Sequence, residues 1–202
     1  VIKSSPEVSH RAGLRITNTE TEVSIKAKDF TAIVKKTGAG GLSSLIYKGK
    51  ETILQPLVPD FTRPLTDNDR RGWKPQRKLR QWYEPGMKLI NTTTGESASQ
   101  ELQVKSEYSL INDSVRVLVT YTFSGSGVVK VDYSLTIKPG LPNIPKLGMQ
   151  LGTDAGFQDV EYFGRGPMEN YIDRNYGSDI GVYKQDLAVF AESYVVPQEF
   201  AN

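Results

Sequence analysis

Residues 115–123 read Val-Arg-Val-Leu-Val-Thr-Tyr-Thr-Phe, and residues 129–137 read Val-Lys-Val-Asp-Tyr-Ser-Leu-Thr-Ile. Apolar side chains occupy every second position along most of both stretches, which is the two-residue repeat of a β-strand with one buried face. Residues 125–127, Gly-Ser-Gly, suit a short hairpin loop between them. The sequence therefore predicts two antiparallel strands joined by a tight turn.

The same pattern extends in both directions along the chain. Alternating apolar residues over 102–110, followed by Asn112 and Asp113, indicate a third strand and a turn, so a meander is expected over about residues 99–138. Further strands are expected over residues 21–28, 30–36, 42–47, 51–54, 146–151 and 159–163. One short helix is expected near residues 74–83. Regular strands separated by turn residues predict an all-β sandwich in which residues 1–202 form a single domain.

Composition excludes several classes of partner. The 202 residues include 25 basic and 23 acidic side chains, and a net charge of +2 gives no reason to expect a nucleic acid or an anionic membrane as partner. Cysteine is absent, so the chain has no disulfide or thiolate chemistry. The start lacks an initiator Met and a signal-peptide core, which favours a piece of a longer chain. The compartment stays open, cytoplasmic or periplasmic in a bacterium.

Residues 164–174 form the least regular stretch, Gly-Arg-Gly-Pro-Met-Glu-Asn-Tyr-Ile-Asp-Arg. Gly166 before Pro167 predicts a tight turn, because a residue ahead of proline is pushed out of the helical region and glycine accepts a positive φ. Ionisable and aromatic side chains in such a loop are typical of a binding site. The loop supplies five site candidates: Glu169, Asn170, Tyr171, Asp173 and Arg174.

A second polar turn, Asp67-Asn68-Asp69, follows Arg63 and completes the set of candidates. If Asp67 were the first ligand of an EF-hand-like loop, Lys78 would stand where the last carboxylate is required, so a calcium loop is excluded. We interpret these side chains as partners of backbone N–H groups in an Asx turn, with Arg63 bound to one of the aspartates. A role facing a substrate or another domain is the alternative.

The acidic loop residues do not define a catalytic site. A retaining glycosidase needs two carboxyl groups roughly 5–5.5 Å apart, and the spacing of Glu169 and Asp173 in a loop does not establish that separation. We interpret these two acids as structural partners of Arg165 and Arg174. His10 is the only histidine, which argues against a histidine-based metal site or a Ser-His-Asp triad. The sequence assigns no catalytic residue and no metal ligand.

Aromatic residues cluster around the irregular segments. Such rings either stack on the C–H faces of a sugar or close a loop over the core, and we expect the second role for any single ring. The residues are Trp73, Trp82, Tyr162, Phe163, Tyr171, Tyr176, Tyr183 and Tyr194.

Three ordered blocks resemble one known domain. Residues 61–69, Phe-Thr-Arg-Pro-Leu-Thr-Asp-Asn-Asp, are similar to Phe-x-Arg-Ala-Pro-x-Asp-Asn-Asp, and residues 164–174 match Gly-x-Gly-Pro-x-Glu-Asn-Tyr-x-Asp-Arg. Residues 194–202, Tyr-Val-Val-Pro-Gln-Glu-Phe-Ala-Asn, are similar to Tyr-x-x-Pro-Gln-Glu-x-Gly-Asn. These blocks are those of the C-terminal sandwich domain (small chain, domain 5) of β-galactosidases of glycoside hydrolase family 2. Pro64-Leu65 and Ala201 depart from the pattern, and the resemblance covers nearly the whole chain.

The resemblance implies a fold and a role. The fold would be a galactose-mutarotase-like supersandwich of large antiparallel sheets, incomplete at its C-terminal end. The domain would be non-catalytic and inactive alone, because the family's catalytic glutamates, and its magnesium or sodium ion, lie in a (β/α)8 barrel. Its partners would be that barrel, the other domains of the parent chain and a β-galactoside sugar, while the fragment itself would hold no cofactor. The parent reaction would be hydrolysis of terminal β-D-galactosides with retention.

Two alternatives stay open. An autonomous carbohydrate-binding module would use a concave face with parallel aromatic rings, and titration with galactose or lactose distinguishes it. A mutarotase-like epimerase would need more than one histidine, which this chain does not have.

Overall fold

The segments in which apolar and polar residues alternate form β-strands, and the strand pairs of the described structure are antiparallel. The computed structural model describes residues 7–11, 13–63, 65, 68–167 and 175–187. The strands are β1 (Glu7–Arg11), β2 (Leu14–Asn18), β3 (Glu22–Lys26), β4 (Phe30–Lys35), β5 (Gly41–Tyr47), β6 (Lys50–Glu51), β7 (Gln55–Asp60), β8 (Lys88–Glu96), β9 (Leu102–Leu110), β10 (Val115–Phe123), β11 (Val129–Ile137), β12 (Gly148–Gly152), β13 (Asp159–Gly166) and β14 (Asp179–Asp186). The helices are a π-helical turn (Asp69–Trp73), α1 (Pro75–Lys78), α2 (Arg80–Tyr83) and a 3-10 turn (Asn175–Gly177).

Two antiparallel sheets make the body of the fold. The first sheet has the order β1-β2-β3-β4-β5-β7-β12, with β6 paired to β5, and the second has the order β11-β10-β9-β8. The meander expected over residues 99–138 is confirmed as β9 to β11, with Val119 opposite both Ser106 and Tyr133. The all-β sandwich predicted from the alternation is therefore confirmed.

The core lies between the inner faces of these sheets. Alternate residues of β2 to β4, such as Val23 and Val34, and alternate residues of β9 and β10, such as Val104 and Val117, are fully buried. The Tyr121 hydroxyl on β10 donates a hydrogen bond to the Leu57 carbonyl of β7, 3.2 Å away, and so joins the two layers. Because apolar residues recur at every second position, each sheet has one apolar face, and these two faces pack against each other.

Gly41 lies where the first sheet branches. It begins β5, which pairs with β4 along most of its length and meets β7 only at Leu42 and Leu57. Its φ is +76°, and a Cβ atom there would lie 2.6 Å from the Leu57 carbonyl oxygen. The branch therefore needs a residue without a side chain.

The short helix expected near residues 74–83 is present as two four-residue helices. Lys74, at φ +56°, separates α1 from the preceding π-helical turn, and Leu79, at φ −113°, separates α1 from α2. Leu79 and Trp82 are buried. The helix is interrupted at Leu79 because the backbone angles of this residue lie outside the helical region.

A third sheet stands apart from the sandwich. Strands β13 and β14 pair only with each other, from Asp159 opposite Asp186 to Gly166 opposite Asp179. One face of this ribbon carries Phe163, Ile180 and Val182, and these side chains are 77%, 65% and 64% exposed. The same face of β13 also carries Glu161 and Arg165, and no layer of the described structure covers it.

Candidate functional site

The predicted site residues divide into two groups. Arg63, Asn68 and Asp69 lie within the described structure. Asp67, Glu169, Asn170, Tyr171, Asp173 and Arg174 lie outside the described residues.

Arg63 and Asp69 form a bidentate ion pair. Nη1 of Arg63 donates to Oδ2 of Asp69 at 2.6 Å, and Nη2 donates to Oδ1 at 2.9 Å. Asp69 is 6% exposed, so the carboxylate is shielded from water as well as paired. Parallel guanidinium–carboxylate bonds of this kind fix direction as well as distance. The predicted bond between Arg63 and an aspartate of the turn is confirmed.

Asn68 does not behave as the Asx-turn interpretation expects. It has helical backbone angles, its side chain makes no capping hydrogen bond, and it is exposed. The turn is closed instead by the backbone, since Lys74 N–H donates to the Asp69 carbonyl oxygen at 2.6 Å. Asp69 uses its side chain for Arg63 and its main chain for the π-helical turn. The expectation was wrong for Asn68, since its side chain makes no capping bond at the start of the π-helical turn.

Buried side chains attach the segment after Asp69 to the core. Pro75, Leu79 and Trp82 are buried, and the ring of Trp82 packs on Phe61 with centroids 5.3 Å apart. Nε1–H of Trp82 donates to the Pro142 carbonyl oxygen at 2.9 Å. Trp82 is therefore a core residue, as the loop-packing interpretation of the aromatics expects.

Two buried polar atoms, one in α1 and one in α2, have no hydrogen-bond partner. They are the Tyr83 hydroxyl and Oε1 of Gln76, and among the described residues only the Tyr108 hydroxyl shares this property. Burial raises the pKa of Tyr83, while Arg63 opposes the rise and Asp69 adds to it. Sequence reasoning missed Gln76 and Tyr83, because nothing in the residue pattern distinguishes a buried amide or phenol from an exposed one. Unsatisfied polar atoms are rare in native interiors, so the Tyr83 hydroxyl, together with Arg63 and Asp69, marks the best candidate site in the sandwich.

Asp60 secures the strand that leads into the site. Its carboxylate accepts hydrogen bonds from the Thr62 N–H at 3.1 Å and from Nζ of Lys146. Burial alone would raise the pKa of Asp60, but the Lys146 and Thr62 donors outweigh it and hold that pKa below its usual range. The end of β7 is thus tied to the segment that enters β12.

Arg165 holds the flanks of the loop at residues 168–174. Its Nη1 donates to the carbonyl oxygens of Asn175 and Ser178, at 3.0 Å each, and so bridges β13 to the segment before β14. The Pro167 carbonyl oxygen accepts bonds from the Tyr162 hydroxyl at 3.3 Å and from Nε2 of Gln185 at 2.7 Å. The described flanks thus form a polar network around the predicted loop site.

Gly166 has a different role from the one expected. It is the last residue of β13 and does not have a positive φ, so the predicted conformational reason for glycine is wrong. A Cβ atom at this position would lie 2.8 Å from the ring of Tyr183. The rings of Tyr162 and Tyr183 pack with centroids 5.5 Å apart. Glycine is required here for space, because the two tyrosines cover its backbone.

Two of the aromatic rings expose much or all of their surface. Trp73 is 46% exposed, and Tyr176 is wholly exposed. Within the described residues, no group of three or more His, Cys, Asp or Glu side chains is arranged to hold a metal ion. No helix among them has the length and hydropathy of a membrane span. The exposed rings of Trp73 and Tyr176 are available for contact with a ligand or another protein.

Comparisons with known proteins match this chain over most of its length. The family model described as "Beta galactosidase small chain" matches residues 26–202. A β-galactosidase of Clostridium acetobutylicum is 33% identical over 190 residues, which cover 91% of this chain and 21% of that protein. β-Galactosidases of Halalkalibacterium halodurans and Priestia megaterium are each 30% identical, over 97% and 98% of this chain and 20% and 19% of their own lengths.

The chain thus spans about a fifth of the length of these relatives. The match includes all three sequence blocks at residues 61–69, 164–174 and 194–202. On this evidence of sequence, the chain belongs to the β-galactosidase small-chain family.

Proposed function

We propose that this chain is a non-catalytic sandwich domain of a β-galactosidase that hydrolyses terminal β-D-galactosides with retention. The observation that carries the proposal is coverage: nearly the whole chain matches β-galactosidases, yet it corresponds to about a fifth of each. The domain supports a (β/α)8 barrel and shapes one wall of the sugar site. Its sheets form part of a galactose-mutarotase-like supersandwich, and the magnesium or sodium ion of such an enzyme belongs to the barrel.

The geometry around Asp69 supports a structural role. Double displacement requires one carboxyl group as nucleophile and a second as acid and base, roughly 5–5.5 Å apart. Both oxygens of Asp69 already accept bonds from Arg63. A carboxylate held in this way orients the turn that follows β7. We assign Arg63 and Asp69 to the shape of the surface that faces the rest of the enzyme.

Hydrolysis of an aryl β-galactoside by the purified chain is the first test. We expect no turnover. Turnover that disappears in Glu169→Gln or Asp173→Asn would overturn the proposal, because the chain would then hold its own catalytic acid. Activity unchanged by both substitutions would identify a contaminating enzyme.

A chimera is the second test. The region of the Clostridium acetobutylicum β-galactosidase that matches this chain is deleted, or is replaced by this chain. We expect the deletion to abolish hydrolysis and the replacement to restore part of it. Equal activity of the intact and deleted enzymes would contradict a supporting role.

An autonomous carbohydrate-binding module is the second candidate, and the exposed rings of Phe163 and Tyr176 favour it. Sugar C–H faces stack on such rings. Titration of the chain alone with galactose or lactose distinguishes the candidates. Saturable binding that is lost in Tyr176→Ala would favour the module, whereas its absence would favour the supporting domain.

A further inference from the structure

Residues 70–80 form a strongly cationic surface. They contain six basic residues and no acidic one: Arg70, Arg71, Lys74, Arg77, Lys78 and Arg80. The whole chain carries a net charge of only +2, so all other residues together carry −4. All six basic residues are exposed. We call this segment the basic surface.

Four of these six charges have no ion-pair partner among the described residues. Arg80 pairs with Glu84 at 2.8 Å, while Asp69, at the start of the segment, is bound to Arg63. Within the part of the chain that the structure describes, no ion pair engages Arg70, Lys74, Arg77 or Lys78. Like charges close together in sequence repel one another, and an anionic partner would relieve that repulsion.

The basic surface is held rigidly by the core beneath it. Pro75, Leu79 and Trp82 are buried, and Lys74 closes the π-helical turn through its bond to Asp69. A rigid, compact patch loses little conformational freedom when it binds, which favours a partner of defined shape.

Trp73 lies within this patch and is 46% exposed. Tryptophan and arginine are the side chains most enriched among residues that dominate the free energy of protein–protein binding. An indole among cations also adds apolar contact area that simple charge attraction would not need. The combination distinguishes the basic surface from an ordinary solvated charged segment.

We propose that the basic surface, with Trp73 among its cations, is a docking face for an acidic surface of another protein. Charge complementarity selects the sign of the partner, and Trp73 supplies the apolar anchor. A nucleic acid fits less well, because a track along a phosphate backbone needs a longer cationic groove and the remainder of the chain is anionic.

Binding to poly-L-glutamate, a polypeptide that presents carboxylates, tests the proposal. The variant Arg70→Glu/Arg77→Glu removes cations from the basic surface, and Arg15→Glu/Lys26→Glu is the matched control. Arg15 and Lys26 are exposed and lie opposite each other on β2 and β3. Both variants change the net charge equally. We expect the first to weaken binding at least about tenfold and the control to change it less than about threefold.

Trp73→Ala separates docking from unspecific charge attraction. We expect a loss of about tenfold or more, with partial rescue in Trp73→Phe. Unchanged binding in Trp73→Ala, or equal losses in the two charge variants, would overturn the proposal. Tighter binding of single-stranded DNA than of poly-L-glutamate would also overturn it. If the charge reversal unfolds the chain, the variant Arg70→Gln/Arg77→Gln replaces it, and the same loss of binding relative to the control is expected.

Discussion

Phe123 on β10 and Phe163 on β13 have the same side chain in the same kind of strand, yet Phe123 is fully buried and Phe163 is largely exposed. Both strands are antiparallel to their neighbours. The difference is the opposing layer: β10 faces the first sheet across the core, whereas β13 belongs to a two-stranded ribbon. Alternation therefore determines which side chains share a face, but only packing of one layer on another buries that face.

The first prediction compares two single variants, each of which removes one of these rings. Phe123→Ala should lower the free energy of unfolding by about 3–5 kcal/mol, because it deletes a buried ring and leaves a cavity. Phe163→Ala should change it by less than about 0.5 kcal/mol. Urea unfolding of both variants measures the contrast. A large loss in Phe163→Ala would show that the exposed face of the ribbon is covered in solution.

The second prediction compares ion pairs in the same two regions. Asp69→Ala should cost about 1–3 kcal/mol, since it leaves the half-buried Arg63 guanidinium without its carboxylate. Glu161→Ala should cost less than about 1 kcal/mol, because the pair of Glu161 with Lys184 on the ribbon is exposed. Thermal unfolding distinguishes them. Equal losses would mean that water screens the Arg63–Asp69 pair as well.

The third prediction concerns pH. Burial raises the pKa of Tyr121 from 10.0 to about 12. Unfolded tyrosine therefore loses its proton at lower pH than the folded residue does. The stabilisation is complete below pH 10 and is lost as pH rises towards 12.

Tyr121→Phe should cost about 1 kcal/mol at neutral pH through the lost bond to Leu57, and should weaken the alkaline loss of stability. Tyr162→Phe on the ribbon is the control. Urea unfolding at neutral and alkaline pH measures both effects, and an unchanged alkaline profile in Tyr121→Phe would contradict the assignment.

The fourth prediction has the smallest effect on stability. Ile180→Ser with Val182→Ser should change the free energy of unfolding by less than about 0.5 kcal/mol per substitution, because both side chains face water. Self-association should decrease, since exposed apolar faces and unpaired strand edges favour contacts between chains. Sedimentation at several concentrations measures this. If the unsubstituted chain is monomeric at every concentration, the prediction that the exposed face of the ribbon causes self-association is wrong.

The sequence predicts best those strands that have one buried face. β9, β10 and β11 lie within the expected meander because their apolar residues alternate over nine positions each. β8 was not predicted: it is an edge strand, and residues such as Asn91 and Thr93 are polar and exposed. β7 was not predicted either, since Pro56 and Pro59 argue against a strand in the middle of a sheet.

The candidate site could be predicted only in part. The sequence indicated that Arg63 binds an aspartate, because a guanidinium close in sequence to three polar residues has few better partners. It did not indicate which aspartate, since that depends on the π-helical turn. The contacts of Trp82 with Pro142 and of Arg165 with Ser178 join residues far apart in sequence, and a local pattern does not encode them.

Gly41 carries one further consequence. Gly38 and Gly49 also have positive φ, but a Cβ atom at either position would meet nothing within 4 Å. Alanine at those two positions meets only backbone strain, whereas alanine at Gly41 also collides with the Leu57 carbonyl. A saturation scan should therefore find that substitutions at Gly41 lower stability more than the same substitutions at Gly38 or Gly49. The continuation of the sheet into β7 and β12 depends on the absence of a single methyl group.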